Sequence, residues 1–184
     1  MASREFEVRF LEIDKSSLME KLRRIKAKDL GEELFREIIF YDRDLKWQTE
    51  GKMVRLRQGR GKILMTYKHS RNKLGETTEA ETTVGDLNKT REILENLGLT
   101  AFRTQEKKRH TFLFDSVTVD IDEHPKVPPY VEIEGANETV LRDAARALEL
   151  DWKDAHFESS REFIPKIYHI PLLDLHFYTF DKME

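Results

Sequence analysis

Apolar and charged residues alternate with a period of two through much of the chain, the pattern of half-buried strands. Phe6 and Val8, Val54 and Leu56, Val119 and Ile121, and Val131 and Ile133 occupy one phase of it, and charged residues the other. Strands are expected near 4–13, 34–42, 53–58, 62–68, 77–84, 103–114, 116–122 and 130–134. Gly59-Arg60-Gly61 and Asp115-Ser116 read as the turns of two hairpins. Three stretches follow the helical period instead. The first runs from Asp14 to Asp29, with Ser17 and Glu20 as a capping box and Gly31 as the stop. The second runs from Asp86 to Leu97 before Gly98, and the third from Asn137 to about Leu150. Ser159–Ile164 reads as one helical turn ended by Pro165. The tail from Ile167 to Phe180 is apolar and aromatic; it either packs on the body or serves a contact in a homodimer. About eight strands and three helices, joined mostly by hairpins, give an α+β class with a largely antiparallel sheet.

The charged phase is sorted by sign. The acidic couples are Glu5/Glu7, Glu79/Glu81, Asp120/Asp122 and Glu132/Glu134. The basic couples are Arg55/Arg57 and Lys107/Arg109, with a lone Lys68. Residues i and i+2 of a strand share a face, so each couple aims two like charges one way. A solvated face usually mixes signs, because like charges side by side repel. Carboxylates bind hard divalent cations, and Arg and Lys bind phosphate oxygens. Both sets on one face make a site for a metal-bound polyphosphate. If the strands close into a barrel, that face lines its interior. A small barrel usually packs its interior with side chains, so a charged interior must be wet or occupied.

At 184 residues the chain suits one domain with a proper core. Net charge is -3, which argues against a general nucleic-acid binder. The absence of cysteine excludes disulfides and thiolate chemistry. No apolar run approaches the ~20 residues that span a membrane, and the first residues carry no apolar signal region, so a soluble cytoplasmic protein is expected. The six histidines show no metal-binding spacing. Alternation puts His110 on the opposite face from Arg109. Gly59-Arg60-Gly61 lacks the following Lys-Ser/Thr of a phosphate loop and is only a turn.

The chain resembles the CYTH superfamily, the triphosphate tunnel metalloenzymes, and within it the class IV adenylate cyclase-type and thiamine triphosphatase-like members. The matching pieces run in family order over about 4–164. They are Glu5-Phe6-Glu7-Val8-Arg9, Val54-Arg55-Leu56-Arg57, Leu64-Met65-Thr66-Tyr67-Lys68, Glu79-Ala80-Glu81, Lys107-Lys108-Arg109, Val119-Asp120-Ile121-Asp122 and Tyr130-Val131-Glu132-Ile133-Glu134. The resemblance implies a closed antiparallel β-barrel, the triphosphate tunnel, of about eight strands with helices outside. It also implies one domain over 1–184, with a core at 4–164 and an extension at 165–184. Mg²⁺ or Mn²⁺ would be held by Glu5, Glu7, Glu132 and Glu134, with Glu81 and Asp122 nearby. Arg9, Arg55, Arg57, Lys68, Lys107 and Arg109 would hold the triphosphate. Glu7, Arg9 and Glu81 are the candidate catalytic residues.

Three departures stand out. Arg9 replaces the lysine that ends the family's first motif. Lysine can give up its proton when its pKa is depressed, whereas arginine cannot, so Arg9 is left with phosphate binding. Lys126-Val127-Pro128 replaces a Gly-Leu-Gly, and Ser159-Ser160 stands where the family has Ser-Tyr. The expected function is a metal-dependent triphosphatase acting on inorganic triphosphate, ATP or thiamine triphosphate. The alternatives are a cyclase making cyclic AMP and pyrophosphate from ATP, and a binding module without turnover.

Overall fold

The structure, a computed structural model, describes residues 6–70 and 77–184. Among them the strands are β1 (Phe6–Phe10), β2 (Lys28–Asp42), β3 (Lys52–Gly59), β4 (Lys62–Ser70), β5 (Thr77–Val84), β6 (Leu99–Phe114), β7 (Val117–Glu123), β8 (Tyr130–Gly135) and β9 (Phe177–Tyr178). The helices are α1 (Lys15–Arg24), α2 (Lys46–Thr49), α3 (Leu87–Asn96), α4 (Glu138–Ala147) and α5 (Ser160–Tyr168). The class is α+β. The strands form one sheet in the order β1-β8-β7-β6-β2-β3-β4-β5, with β9 beside β6. The ladders β1–β8, β8–β7, β7–β6, β2–β3, β3–β4 and β4–β5 are antiparallel, and β9 runs parallel to β6. The described residues divide into two compact units, one of 34–70, 77–107 and 170–184 and the other of 6–33 and 108–169.

In the first unit, Arg60 and Gly61 both take positive φ between β3 and β4, the geometry of a two-residue hairpin turn matched to strand twist. Asp86 caps α3 by accepting from the Lys89 amide. Beneath α3 lies a core of Phe40, Val54, Leu56 and Leu94. A second cluster gathers Ile39, Tyr41 and Phe102. The C-terminal tail packs on this unit. β7 pairs with β6 only from Lys108 onward, which leaves backbone groups of β6's first half to be satisfied elsewhere. β9 pairs there with Thr104 and Gln105, and Ile170, Leu172 and Tyr178 are buried.

In the second unit, α1 and α4 cover the apolar face of β1, β8, β7 and the end of β6. Val8, Phe10, Phe112, Val119, Ile121, Val131 and Ile133 pack there against Leu18, Leu22, Leu141 and Leu148. Trp152 is a packing residue, edge-on to Phe10. Asn137 caps α4 as expected, accepting from the Val140 amide.

Several local expectations change. α1 is capped by Asp14, which accepts from the Ser17 amide, so Ser17 is not the cap. The helix ends at Arg24, because Lys26 turns left-handed at φ 59. β2 begins at Lys28, and Gly31 lies within it at φ 86 rather than stopping a helix. α5 runs through Pro165 to Tyr168. Its start is secured by the Ser159 amide donating to Glu162 at 2.8 Å, and Phe163 and Ile164 are fully buried. That packing outweighs the one backbone hydrogen bond that Pro165 cannot make.

Candidate functional site

Strand register explains how the second unit assembles its charge. Glu7 stands opposite Glu134, and Arg9 opposite Glu132. Glu132 is also opposite Asp120, and Asp122 is opposite Tyr130 on one side and Arg109 on the other. Directly opposed residues share a face, so all of these lie on the face away from α1 and α4, where Tyr130 meets Phe163 of α5 edge-on. His110 is on the other face, stacked on Phe112 at 4.5 Å and bonded to Asp29.

Arg109 is the hub of this face. It is bidentate to Asp122, with Nε to Oδ1 at 2.6 Å and Nη2 to Oδ2 at 2.5 Å. It also reaches Asp120 at 2.5 Å and Glu132 at 2.9 Å. Burial works against its charge, but Asp122, Glu132 and Asp120 outweigh that and hold it well above its ordinary range. Burial raises Asp120, against the pull of Arg109 and Thr111. Tyr130, buried, donates to Asp122 at 3.2 Å; burial and the neighbouring Asp122 and Glu132 keep its hydroxyl protonated.

Arg9 is only 4% exposed. Its Nη2 bridges Glu7 at 2.9 Å and Glu132 at 2.6 Å, and its Nη1 donates to the Glu158 carbonyl at 3.0 Å. The Arg9 backbone exchanges two hydrogen bonds of 2.8 Å with His156. Its Nε has no hydrogen-bond partner among the described residues. Burial opposes the charge, and Glu132 and Glu7 more than restore it, so Arg9 is permanently a cation. Lys126 adopts φ 58, so the turn at Lys126-Val127-Pro128 uses a left-handed residue without a glycine.

In the first unit, Arg55 and Arg57 on β3 face Thr66 and Leu64 on β4, and Thr66 and Lys68 face Glu81 and Glu79 on β5. Lys68 pairs with Glu79 at 2.8 Å, and Thr66 donates to Glu81 at 2.7 Å. The centre is Glu37, 2% exposed. Arg57 Nε donates to its Oε1 at 2.5 Å, Arg55 stands 3.6 Å from the same oxygen, and Gln105 donates to Oε2 at 2.6 Å. Burial opposes the carboxylate, but Arg57, Arg55, Lys107 and Gln105 hold it well below the usual range. Arg55 is 8% exposed, and its Nε lacks a hydrogen-bond partner among the described residues. Burial and the like charge of Arg57 weaken its hold on its proton, against Glu37.

The second unit therefore brings together Glu7, Arg9, Arg109, Asp122, Glu132 and Glu134 from the sequence-based set. The first unit brings together Arg55, Arg57 and Lys107 around Glu37, with Lys68 and Glu81 further along the same face. Glu5 lies outside the described residues. Sequence reasoning missed Glu37, whose one signal is being the lone acid of the run Leu34–Tyr41. It also missed Gln105, Thr66 and Tyr130 as partners.

Carboxylates outnumber cations on the second unit's face, where Glu7, Asp120, Asp122, Glu132 and Glu134 meet Arg9 and Arg109. This all-oxygen donor set fits a hard divalent cation in its chemistry. Among the described residues, no group of three or more His, Asp or Glu side chains is arranged to hold a metal; Arg109 and Arg9 engage the oxygens of Asp120, Asp122, Glu132 and Glu7 instead. Among those residues no helix is long and apolar enough to cross a membrane.

The model of the CYTH domain matches residues 3–166. No curated protein matches the chain. Among solved structures, PH1012 from Pyrococcus horikoshii OT3 is 24% identical with a TM-score of 0.71, over 85% of this chain and 96% of that one. A candidate adenylate cyclase from Vibrio parahaemolyticus is 17% identical with a TM-score of 0.75, over 89% and 99%. HpAC1 from Hippeastrum is described as a candidate adenylyl cyclase with a dominant triphosphatase activity. It is 12% identical with a TM-score of 0.62, over 91% and 97%. At these identities the likenesses establish the fold.

Proposed function

The chain belongs to the CYTH domain family, whose members are metal-dependent, and from that premise we propose that it is a metal-dependent triphosphatase hydrolysing inorganic or organic triphosphate. The observation that carries this reading is the arginine pair of the first unit. A buried guanidinium, Arg55, and a part-buried one, Arg57, share the carboxylate of Glu37, and among the described residues Arg55 Nε–H has no hydrogen-bond partner. A buried donor without a partner is costly, and an anion rich in oxygen acceptors relieves it. The matched stretch 3–166 supports treating 1–184 as one domain, and the closed tunnel belongs to the same reading.

Each charged group has a role in it. Arg55, Arg57, Lys68 and Lys107, with Arg9 and Arg109, bind phosphate oxygens and neutralise charge that builds up during phosphoryl transfer. Glu7, Glu132 and Glu134, with Glu5, Glu81 and Asp122, would hold Mg²⁺ or Mn²⁺. Such an ion, when bound, adds charge neutralisation and orients the attacking group. Arg9 cannot accept a proton, so water activation falls to the carboxylates Glu7 and Glu81.

A second reading, a cyclase converting ATP to cyclic AMP and pyrophosphate, is favoured by the same Arg9. Its nucleophile is the substrate's own 3′-hydroxyl, so loss of the lysine matters less. Product analysis with ATP and Mn²⁺ separates the two. ADP and phosphate support hydrolysis, and cyclic AMP with pyrophosphate overturns it in favour of cyclisation.

A further inference from the structure

The C-terminal tail lies beyond the matched family stretch 3–166, yet it is joined by a chain of hydrogen bonds to Arg57. Arg103, 4% exposed, donates through Nη1 to the Leu172 carbonyl of the tail. Its Nε donates to Gln105 Oε1 at 2.8 Å. Gln105 Nε2 donates to Glu37 Oε2 at 2.6 Å, and Glu37 Oε1 accepts from Arg57. The tail also holds the backbone of β6 at this point. Phe177 and Tyr178 pair with Thr104 and Gln105, and the Thr104 amide donates to the His176 carbonyl at 2.8 Å.

We propose that the tail 170–184 positions the triphosphate-binding arginines, with Gln105 as the coupling residue. Gln105 has the chemistry the link requires. Its carbonyl oxygen accepts from a guanidinium while its amide nitrogen donates to a carboxylate. A glutamate there would set like charge against Glu37, and an apolar residue would break the chain. Glu37 engaged on its far side by Gln105 presents its other oxygen to Arg57 and Arg55. The tail thereby fixes where both guanidiniums stand, and holding them in place before the ligand arrives lowers the ordering cost of binding.

This inference rests on the reading of Arg55 and Arg57 as triphosphate ligands, so the test has two readouts, one of them independent of ligand. Gln105→Leu keeps the bulk of the side chain and removes both hydrogen bonds. Arg103→Met removes the donor that joins the Leu172 carbonyl to Gln105 and leaves Gln105 beside Glu37. The Arg57 Nε–H signal is followed by NMR in each variant, and tripolyphosphate affinity is measured by calorimetry. In Gln105→Leu the Arg57 signal should shift and broaden, and tripolyphosphate should bind about tenfold more weakly, as for one lost charge-assisted contact. Arg103→Met should move both readouts in the same direction, because it parts Gln105 from the tail; readouts as in the parent in a folded Arg103→Met would show that the tail does not position the arginines and overturn the proposal. A folded Gln105→Leu with an unchanged Arg57 signal overturns the proposal. A parent protein that binds no tripolyphosphate overturns the functional reading instead, and the Arg57 signal alone then decides the positioning role.

Discussion

Arg57 Nε donates to Glu37 Oε1 at 2.5 Å, and Arg55 Nη1 stands 3.6 Å from the same oxygen. One buried carboxylate thus organises two guanidiniums, one buried and one part-buried. The arrangement is a salt-bridge cluster whose cations outnumber their partner, and that imbalance is what the proposed anion would offset.

Acid should weaken this cluster in a defined direction. Glu37 is held well below the usual glutamate range, with burial outweighed by Arg57, Arg55 and Lys107. The unfolded chain takes up the proton near the ordinary glutamate value, before the folded protein does. Stability contributed by Glu37 is therefore complete above that value and is lost as pH falls through the folded pKa. Glu37→Gln should flatten this part of the stability–pH curve, measured by denaturant unfolding below neutral pH. It should also cost about 3–5 kcal/mol at neutral pH, because it leaves buried cations without their counter-charge. An unchanged acid slope would show that Glu37 is not the titrating group.

Arg57→Ala removes one charge-assisted contact. Tripolyphosphate binding should weaken by about 1.5–3 kcal/mol, read by calorimetry without metal to keep the carboxylates out of the comparison. Unchanged affinity would remove Arg57 from the binding set.

Glu7 and Glu134 stand opposite each other across the β1–β8 ladder. Glu7 is 47% exposed and its pair with Arg9 is partly solvated, so Glu7→Gln should cost no more than about 1 kcal/mol of stability. Activity should nonetheless fall by about a hundredfold or more in both Glu7→Gln and Glu134→Gln, the scale expected for loss of a metal ligand or general base. Turnover at the parental rate in both variants would discard the metal assignment.

Arg9 makes contacts that a lysine cannot make together, because its Nη2 spans Glu7 and Glu132 while Nη1 holds the Glu158 carbonyl. Lysine offers one nitrogen in place of a planar fork. Arg9→Lys should keep the carboxylate contacts and release Glu158. Amide exchange across 156–160 should accelerate by about tenfold, with the β1–β8 ladder still protected. Equal protection in this segment would mean that the two His156 backbone bonds hold it unaided.

Much of the charged face was legible because strand alternation is strict. Once Glu7, Arg9, Glu132 and Glu134 are placed on strands, their common face follows, as does the opposite placement of His110. The hairpin at Gly59-Arg60-Gly61 and the caps Asp86 and Asn137 were legible because their chemistry is local. Glu37 was not, because it has no partner at i+2 and its importance comes from β3 and β6, distant in sequence. β9 escaped for a similar reason: two residues carry no period, and their pairing is set by the stretch of β6 that β7 does not reach. Pro165 misled because its local cost is plain in the sequence, while the burial of Phe163 and Ile164 that offsets it is tertiary. The Asp14 cap competed with a nearby Ser17-x-x-Glu20 pattern, and sequence alone does not rank the two.

The most direct test is phosphate release from inorganic triphosphate by the pure protein with Mg²⁺ or Mn²⁺, followed with and without chelator, beside the Arg55→Ala/Arg57→Ala double variant. The account predicts metal-dependent release by the parent, abolished by chelation and reduced by about a hundredfold or more in the double variant at sub-saturating substrate. No release from inorganic triphosphate, ATP or thiamine triphosphate with either metal, or release that the double variant retains in full, would contradict it.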